Sequence, residues 1–442
     1  MSFERKLSNV NNFLDKRRLA KTIPTILTIT LLIILSSDTS IYSANATPTG
    51  GFWTTEAPRL GPAQEGLGAA TVGNIVFAIG GNAFGGGSCR NDAYDPTTNS
   101  WTSRTPTPTC IVEPAGVVSV AGLVYLISGI CRGFTTVPCV SDTETSALQI
   151  YNPTTDTWSM GAPILTPRSR AGVTVYNGKI FVIGGYLGLL GTQLNVVEAY
   201  DVVTNTWTTA APMPTAREGL MAATVGNKIF AIGGFTIGRL AASATGIVEA
   251  YNIVTNTWTA AGPANGLATM TTPRGTVSTM GGVACGNEPI FVIGGMTTSG
   301  APTNVNEAYI PSLNEWITRP TMPTARGEGG TGIVGSRLFV IGGGMPPEIS
   351  TLLDTNVNEA YQCSNTIAGK VTSGGLGVGG LTVSVSGVSG LIGTALTAVD
   401  GFYSIDLPAG GTYAVSATTL TGTVTTTVNL PTGTITIQTL ST

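Results

Sequence analysis

Apolar residues fall in short runs along most of this chain, and the runs keep a beat. In Lys228-Ile-Phe-Ala-Ile232 the apolar run is closed by a glycine pair, Gly233-Gly234. The same signature ends at Gly80-Gly81, Gly184-Gly185, Gly294-Gly295 and Gly342-Gly343, with Ser128-Gly129 as a variant. Short apolar runs bounded by turn residues predict strands. A later strand in the same unit carries an acid and a tyrosine: Glu198-Ala-Tyr200, Glu249-Ala-Tyr251, Glu307-Ala-Tyr309 and Glu359-Ala-Tyr361. A turn and a tryptophan follow, as in Asp201-Val-Val-Thr-Asn-Thr-Trp207, and Trp53, Trp101, Trp158, Trp207, Trp258 and Trp316 recur every 48 to 58 residues. Beyond Cys363 this beat stops. Thr-Val alternation takes over, with an Asp400-Gly401 turn, and predicts a small antiparallel sandwich over residues 364–442.

The first 46 residues read differently. Arg17, Arg18 and Lys21 precede an apolar run, Ile23 to Leu35, and a polar stretch ends at Ala44-Asn45-Ala46. That is the charged, apolar and small-residue order of a secretory signal peptide. At 13 residues the run falls short of the roughly 20 that span a bilayer as a helix; an uncleaved anchor is the alternative. No second hydrophobic span follows, so the expectation is a secreted or cell-surface protein without an integral membrane span after cleavage.

The glycine pair, tyrosine and tryptophan recurring in register resemble the kelch repeat, a four-stranded blade of about 50 residues. The resemblance covers roughly residues 51–363 and implies an all-β, six-bladed propeller over residues 47–363. One such sheet has two apolar faces and must stack on neighbours to bury them. The final unit lacks a tryptophan after Tyr361, and Trp53 precedes any complete unit. The segment around Trp53 is therefore expected to supply the outer strand of the last blade. Residues 364–442 are similar to the carboxypeptidase regulatory-like domain, a transthyretin- or immunoglobulin-type β-sandwich. Gly411 is an extra residue in that pattern, and no site is carried over. A stalk, spacer or surface-attachment role is the expectation.

With strands a to d running outwards from the axis, the b–c loops and d–a links share one face. Arg59, Arg168, Arg217, Arg274 and Arg326 open inner strands on that face, and the second unit offers Glu113 near that place. The resemblance implies that this arginine position and the b–c loops form a ligand-binding mouth; five converging cations would give it anion affinity. The alternative is that each arginine bonds loop carbonyls or a neighbouring glutamate. From second glycine to repeat tyrosine the second unit runs 22 residues and the others 13 to 18, an asymmetry suited to a specific protein or glycan ligand.

Composition removes other chemistries. Charged residues are 10% of the chain, against roughly 25% in average globular proteins. Net charge is −3, and 6 of the 21 basic residues lie in the first 21 positions, so no basic patch suits nucleic acid. There is no histidine, which eliminates histidine triads, imidazole shuttles and the copper ligands of the galactose-oxidising kelch-type enzymes. A sugar-acting enzyme of the sialic-acid mutarotase type, using Glu113, Glu218, Glu328 and the arginines, is the catalytic alternative; a purely structural surface component is the other. The recurrent Glu198, Glu249, Glu307 and Glu359 are expected to satisfy backbone donors or an arginine within each blade. The runs at Asp95 and at Asn152 read as turns rather than calcium loops, and Gly85-Gly-Gly87 lacks the lysine and helix of a phosphate loop. No catalytic residue, metal site or cofactor is assigned.

Six cysteines in an exported chain are expected to pair. Cys89, Cys110, Cys131 and Cys139 belong to one face, Cys285 and Cys363 to the other. A disulfide needs Cα atoms within about 7 Å, so three pairings remain, all with Cys285–Cys363. Cys131–Cys139 with Cys89–Cys110 is favoured among them, and free thiols at Cys285 and Cys363 are the alternative.

Overall fold

The computed structural model describes residues 51–83, 86–131, 143–188, 191–237, 243–260, 266–275, 282–283, 289–344, 355–419 and 422–442. The expected signal peptide, Cys139 and Cys285 lie outside the described residues. The architecture is all-β, without an α-helix among the described residues. No helix there is long and apolar enough to cross a membrane.

Up to Gln362 the strands form antiparallel sheets in chain order, from inner to outer strand. Sheet I is Glu65–Val72, Ile75–Ala83, Asn91–Asp95 and Ser100–Ser103. Sheet II is Gly116–Val120, Leu123–Cys131, Thr143–Asn152 and Thr157–Met160, with Ile111–Val112 also pairing its second strand. Sheet III is Gly172–Tyr176, Lys179–Ile183, Val197–Asp201 and Thr206–Ala210. Sheet IV is Met221–Val225, Lys228–Ile232, Val248–Asn252 and Thr257–Thr259. Sheet V is Gly282–Val283, Ile290–Ile293, Asn306–Ile310 and Glu315–Arg319. Sheet VI takes Gly330–Val334, Arg337–Ile341 and Asn358–Gln362 from the far end of this region and Phe52–Glu56 from its start. Trp53 thereby faces Tyr361, as Trp207 faces Tyr200 and Trp101 faces Tyr94.

The apolar runs have no polar alternation because both faces of each sheet are covered. Ile229 to Ile232 are all buried, and alternate residues join two different cores: Ile229 and Ala231 pack with Phe181 and Ile183 of sheet III, Phe230 and Ile232 with Ile290 and Val292 of sheet V. Each tryptophan stacks on its cross-strand tyrosine, with ring centroids 5.1 Å apart at Tyr200–Trp207. Its indole N–H donates to the chain entering the same sheet: Trp207 Nε1 to the Ala162 carbonyl at 2.8 Å, Trp101 Nε1 to Ala57 and Trp53 Nε1 to Pro320. The turn before each tryptophan completes this seam. Asn205, held at φ 54°, accepts both the Tyr200 hydroxyl and the Ala162 N–H at 2.7 Å. Asn99, Asp156, Asn256 and Asn314 share that left-handed geometry, which asparagine and aspartate tolerate better than most residues. In the same turns Asp95 and Asn152 accept backbone N–H groups two residues on, which is a turn role.

Beyond Cys363 two further sheets share one core. Sheet VII pairs Asn365–Ser373 with Leu376–Gly377 and Phe402–Leu407; sheet VIII runs Gly390–Leu396, Thr382–Gly387, Gly411–Thr419, Gly422–Leu430. Period-two burial fills the space between them with Ile367, Val383, Val385, Tyr403, Ile405 and Val415. The expectation of a purely antiparallel arrangement is corrected here: Ile435–Ile437 and Leu440–Ser441 pair Asn365–Ser373 in parallel. Ala368 and Ile435 also pack with Ile310, Leu313, Ile317 and Met322 of the repeat region. Arg319 reaches Asp406 at 2.8 Å, and Lys370 bridges Glu315 at 2.8 Å and Asp400 at 2.6 Å.

Cys89 and Cys110 form a disulfide, Cα atoms 4.2 Å apart, the pair favoured from the sequence. Cys131 and Cys363 are also disulfide-bonded, so Cys363 is no free thiol; their partners lie outside the described residues.

Candidate functional site

Arg168, Arg217, Arg274 and Arg326 stand just before the inner strands, but their side chains turn into the sheet. Arg217 has no exposed surface: its guanidinium bonds Glu249 at 2.7 Å and the Gly233, Ile247 and Ala231 carbonyls. Arg168 pairs with Glu198 at 2.5 Å, Arg274 with Glu307 and Arg326 with Glu359. In three of the four a threonine two residues before the arginine also donates to the carboxylate: Thr166 to Glu198, Thr215 to Glu249 and Thr324 to Glu359. Burial lowers all four arginine pKa values and the paired carboxylate opposes the shift. The guanidiniums are thus paired with carboxylates inside the protein, with each Nε left without a hydrogen-bond partner among the described residues, and the expected ring of five ligand-facing arginines is not formed. The recurrent glutamates, in turn, have the within-sheet arginine partners expected for them.

The arginine backbone carries a second contact. The Arg217 carbonyl accepts the Gly185 N–H of sheet III at 2.9 Å, and Arg274 and Arg326 carbonyls accept Gly234 and Gly295 likewise. A Cβ on Gly184 would lie 2.6 Å from the Arg217 oxygen, and φ there is +63°, so glycine is required on both counts. Side chain to its own sheet and carbonyl to the previous one, each arginine staples two sheets together.

Sheets I and II vary this motif in physically matched ways. In sheet I, Gln64 occupies the register position of the arginine, since its carbonyl accepts the Gly343 N–H. Arg59 reaches the same space from further back, bonding Gln64 at 2.5 Å and Asp92 at 2.7 Å. Burial pushes its pKa down to about 10 against the pull of Asp92. In sheet II the Ile111 carbonyl abuts Gly80 as the Arg217 carbonyl abuts Gly184, so isoleucine replaces arginine. The glutamate is replaced too: Gln149, bonded to the Thr109 backbone at 2.8 and 3.2 Å. A glutamate kept there would be a buried charge without its partner. The sequence reading missed this compensation, although Gln149-Ile-Tyr151 stands openly where other units have Glu-Ala-Tyr.

Two residues past the arginine position lies the lip of the inner strands. Gly66, Glu113, Arg170, Gly219 and Glu328 stand there, all with positive φ. Backbone bonds link them across sheets: Gly66 N to Glu328 O, Glu113 N to Gly66 O, Gly219 N to Arg170 O. Glu113 therefore sits apart from the arginines with which it was grouped. Its carboxylate bonds Arg170 at 2.5 Å, and the other arm of Arg170 bonds Glu218 at 3.1 Å. Arg170 also lies over the Tyr186 ring, 5.4 Å from its centroid. One arginine thus bridges sheets II, III and IV, and only 9% of it is exposed. The Arg168-Ser-Arg170 spacing was the available signal. The left-handed Gly219 that follows Glu218 breaks the strand alternation there.

Comparison with known proteins now bears on this architecture. The kelch motif family model matches residues 66–108, 167–214 and 217–265. Kelch-like ECH-associated protein 1A of Danio rerio is 33% identical over 97 residues, 21% of this chain and 15% of that protein. Kelch-like protein 23 of Mus musculus is 30% identical over 139 residues, 29% of this chain and 22% of its own length. Kelch-like protein terF of Aspergillus terreus is 27% identical over 141 residues, 30% of each. The chain covers less than a third of the length of these relatives. Kelch motifs and kelch-like relatives together support a kelch-repeat β-propeller. In that propeller the recurrent arginine–glutamate pairs are framework, and the lip is locked by Arg170.

Proposed function

We propose that the chain is an exported, non-catalytic binding module whose propeller presents its b–c loops to a protein or glycan partner. In this reading residues 1–46 are a signal peptide, and residues 47–363 make six blades closed by Phe52–Glu56. Residues 364–442 are a carboxypeptidase regulatory-like sandwich packed on the last blades. The kelch relatives favour protein interaction. The observation carrying the proposal is that the frame is constant while the b–c segments are not. With the arginines consumed internally, selectivity falls to those loops, which vary from 13 to 22 residues between second glycine and repeat tyrosine.

The test screens residues 47–442 against arrays of cell-surface peptides and glycans, with a variant whose segment 132–142 is shortened to the sheet I length. Binding by the parent, lost in the variant at an unchanged melting temperature, is expected. Equal binding by both proteins would defeat the loop assignment.

A further inference from the structure

The inner strands leave a cavity along the propeller axis, of about 370 Å³. It lies at the end opposite to the Arg170 lip, beside the turns that join first and second strands. Its lining comes from sheets I, II, III, IV and VI and includes the hydroxyls of Thr71, Ser119, Thr174, Thr224 and Thr331. Among the described residues only alanine, valine, isoleucine and glycine stand between them, and none of the lining is charged or aromatic. All five hydroxyl side chains are partly exposed. At the other end the axis is gathered by Arg170 with Glu113 and Glu218, all buried.

The hydroxyls already stitch neighbouring sheets. Ser119 Oγ donates to the Thr71 carbonyl at 2.6 Å, Thr71 Oγ1 accepts the Ile333 N–H at 3.0 Å, and Thr174 and Thr224 hydroxyls bond each other at 2.9 Å. Each hydroxyl has one proton and two lone pairs, so these bonds use only part of the capacity. Among the described residues the Thr174–Thr224 pair uses one of its two protons, and the Ser119 hydroxyl accepts no hydrogen bond. The cup therefore offers donors and acceptors separated by methyl groups around a single axis. A charged guest would be desolvated there with no counter-ion among the described lining residues. A neutral ring bearing hydroxyls at its edge and C–H groups on its faces meets both kinds of wall, and the volume falls in the range of small-molecule sites.

We propose that this cup is a binding site for a small neutral polyol, of single-pyranose or cyclitol size, on the face opposite to the b–c loops. It is separate from the partner surface and does not depend on it. Saturation-transfer NMR on residues 47–442 with methyl α-glucoside, methyl β-galactoside and myo-inositol tests it, with glucuronate and glucosamine as charged counterparts. At least one neutral probe is expected to bind saturably, at least about tenfold more tightly than either charged ring. Thr174→Val with Thr224→Val keeps shape and removes the paired hydroxyls; it should weaken binding about tenfold or more. Thr224→Phe fills the cup and should abolish binding. Melting temperature and tryptophan fluorescence check the fold, and Ser119→Ala, expected to weaken binding severalfold, decides the question if the threonine variants do not fold. No saturable binding of any neutral probe, equal binding of charged and neutral rings, or undiminished binding in a folded cup variant would each overturn the site.

Discussion

In the propeller, four sheets carry a buried arginine–glutamate pair and a fifth a buried arginine–aspartate pair; the two C-terminal sheets bury no charged residue among those described. Every buried charged residue among those described belongs to the repeat region. The difference follows from what each region must specify. Two facing sheets are aligned by period-two patterning, since a one-residue slip would expose their core. Successive propeller sheets are similar surfaces, able to rotate or slide with little change in apolar burial. A guanidinium that must meet a carboxylate and carbonyls of its own sheet, while its backbone meets a glycine of the previous sheet, accepts one arrangement only. Sheet II shows that the charge itself is dispensable when both members go together, as Ile111 and Gln149 do.

Breaking one staple tests this contrast most directly. Arg217→Ala leaves Glu249 buried and unpaired and should cost about 3–5 kcal/mol, measured by urea unfolding. A loss below about 1 kcal/mol would mean that water enters the site and that the pair does not organise the sheets. The closing strand comes next. Trp53→Ala removes a partly exposed indole and its bond to Pro320, with an expected loss of about 3 kcal/mol. An unaltered melting temperature would show that the first strand does not hold sheet VI closed.

On the C-terminal side, Leu407→Ala should cost about 2–3 kcal/mol. Because Ala368 and Ile435 share a core with sheet V, calorimetry should give one shifted transition; a second, independent transition would show that the two regions melt separately. Converting sheet IV to the sheet II solution, with Arg217→Ile and Glu249→Gln together, should leave a deficit of only about 1 kcal/mol, far less than Arg217→Ala alone. Additive losses in that cycle would remove the compensation argument.

The smallest effect concerns pH. Hydrogen bonds from Glu315 and Lys370 hold Asp400 down at about 2. A carboxyl depressed when folded stabilises the protein above its unfolded value, and this contribution fades as pH falls from about 4 towards 2. Asp400 is exposed and screened, so Asp400→Asn should lower the melting temperature by about 1 °C or less at pH 7. The difference should vanish near pH 2, and one that grew on acidification would contradict the assigned shift.

Much of the repeat was legible because its signals are local. Apolar runs ending in glycine pairs marked strands, and Trp53 without a preceding unit implied that the chain start pairs with the strand of Tyr361. The role of the arginines was not legible in the same way. Arg217 opens an inner strand on the loop face, and position alone leaves its long side chain free to face the axis or turn inward. Its direction depends on Glu249, 32 residues later, and on three carbonyls that only folding brings within reach.

The sequence by itself determined the all-β class, the strand order within each unit and the exclusion of histidine chemistry, because these rest on periodicity and on residues present or absent. Tertiary structure alone decided that Arg170 bridges three sheets, that Gln149 answers the loss of an arginine, and that the chain end pairs in parallel with Asn365–Ser373. It also decided that five hydroxyls from five sheets surround one cavity. Each of these depends on distances between segments far apart in the chain. Local pattern sets which face a side chain takes, but packing and the need to satisfy buried polar groups set what it meets.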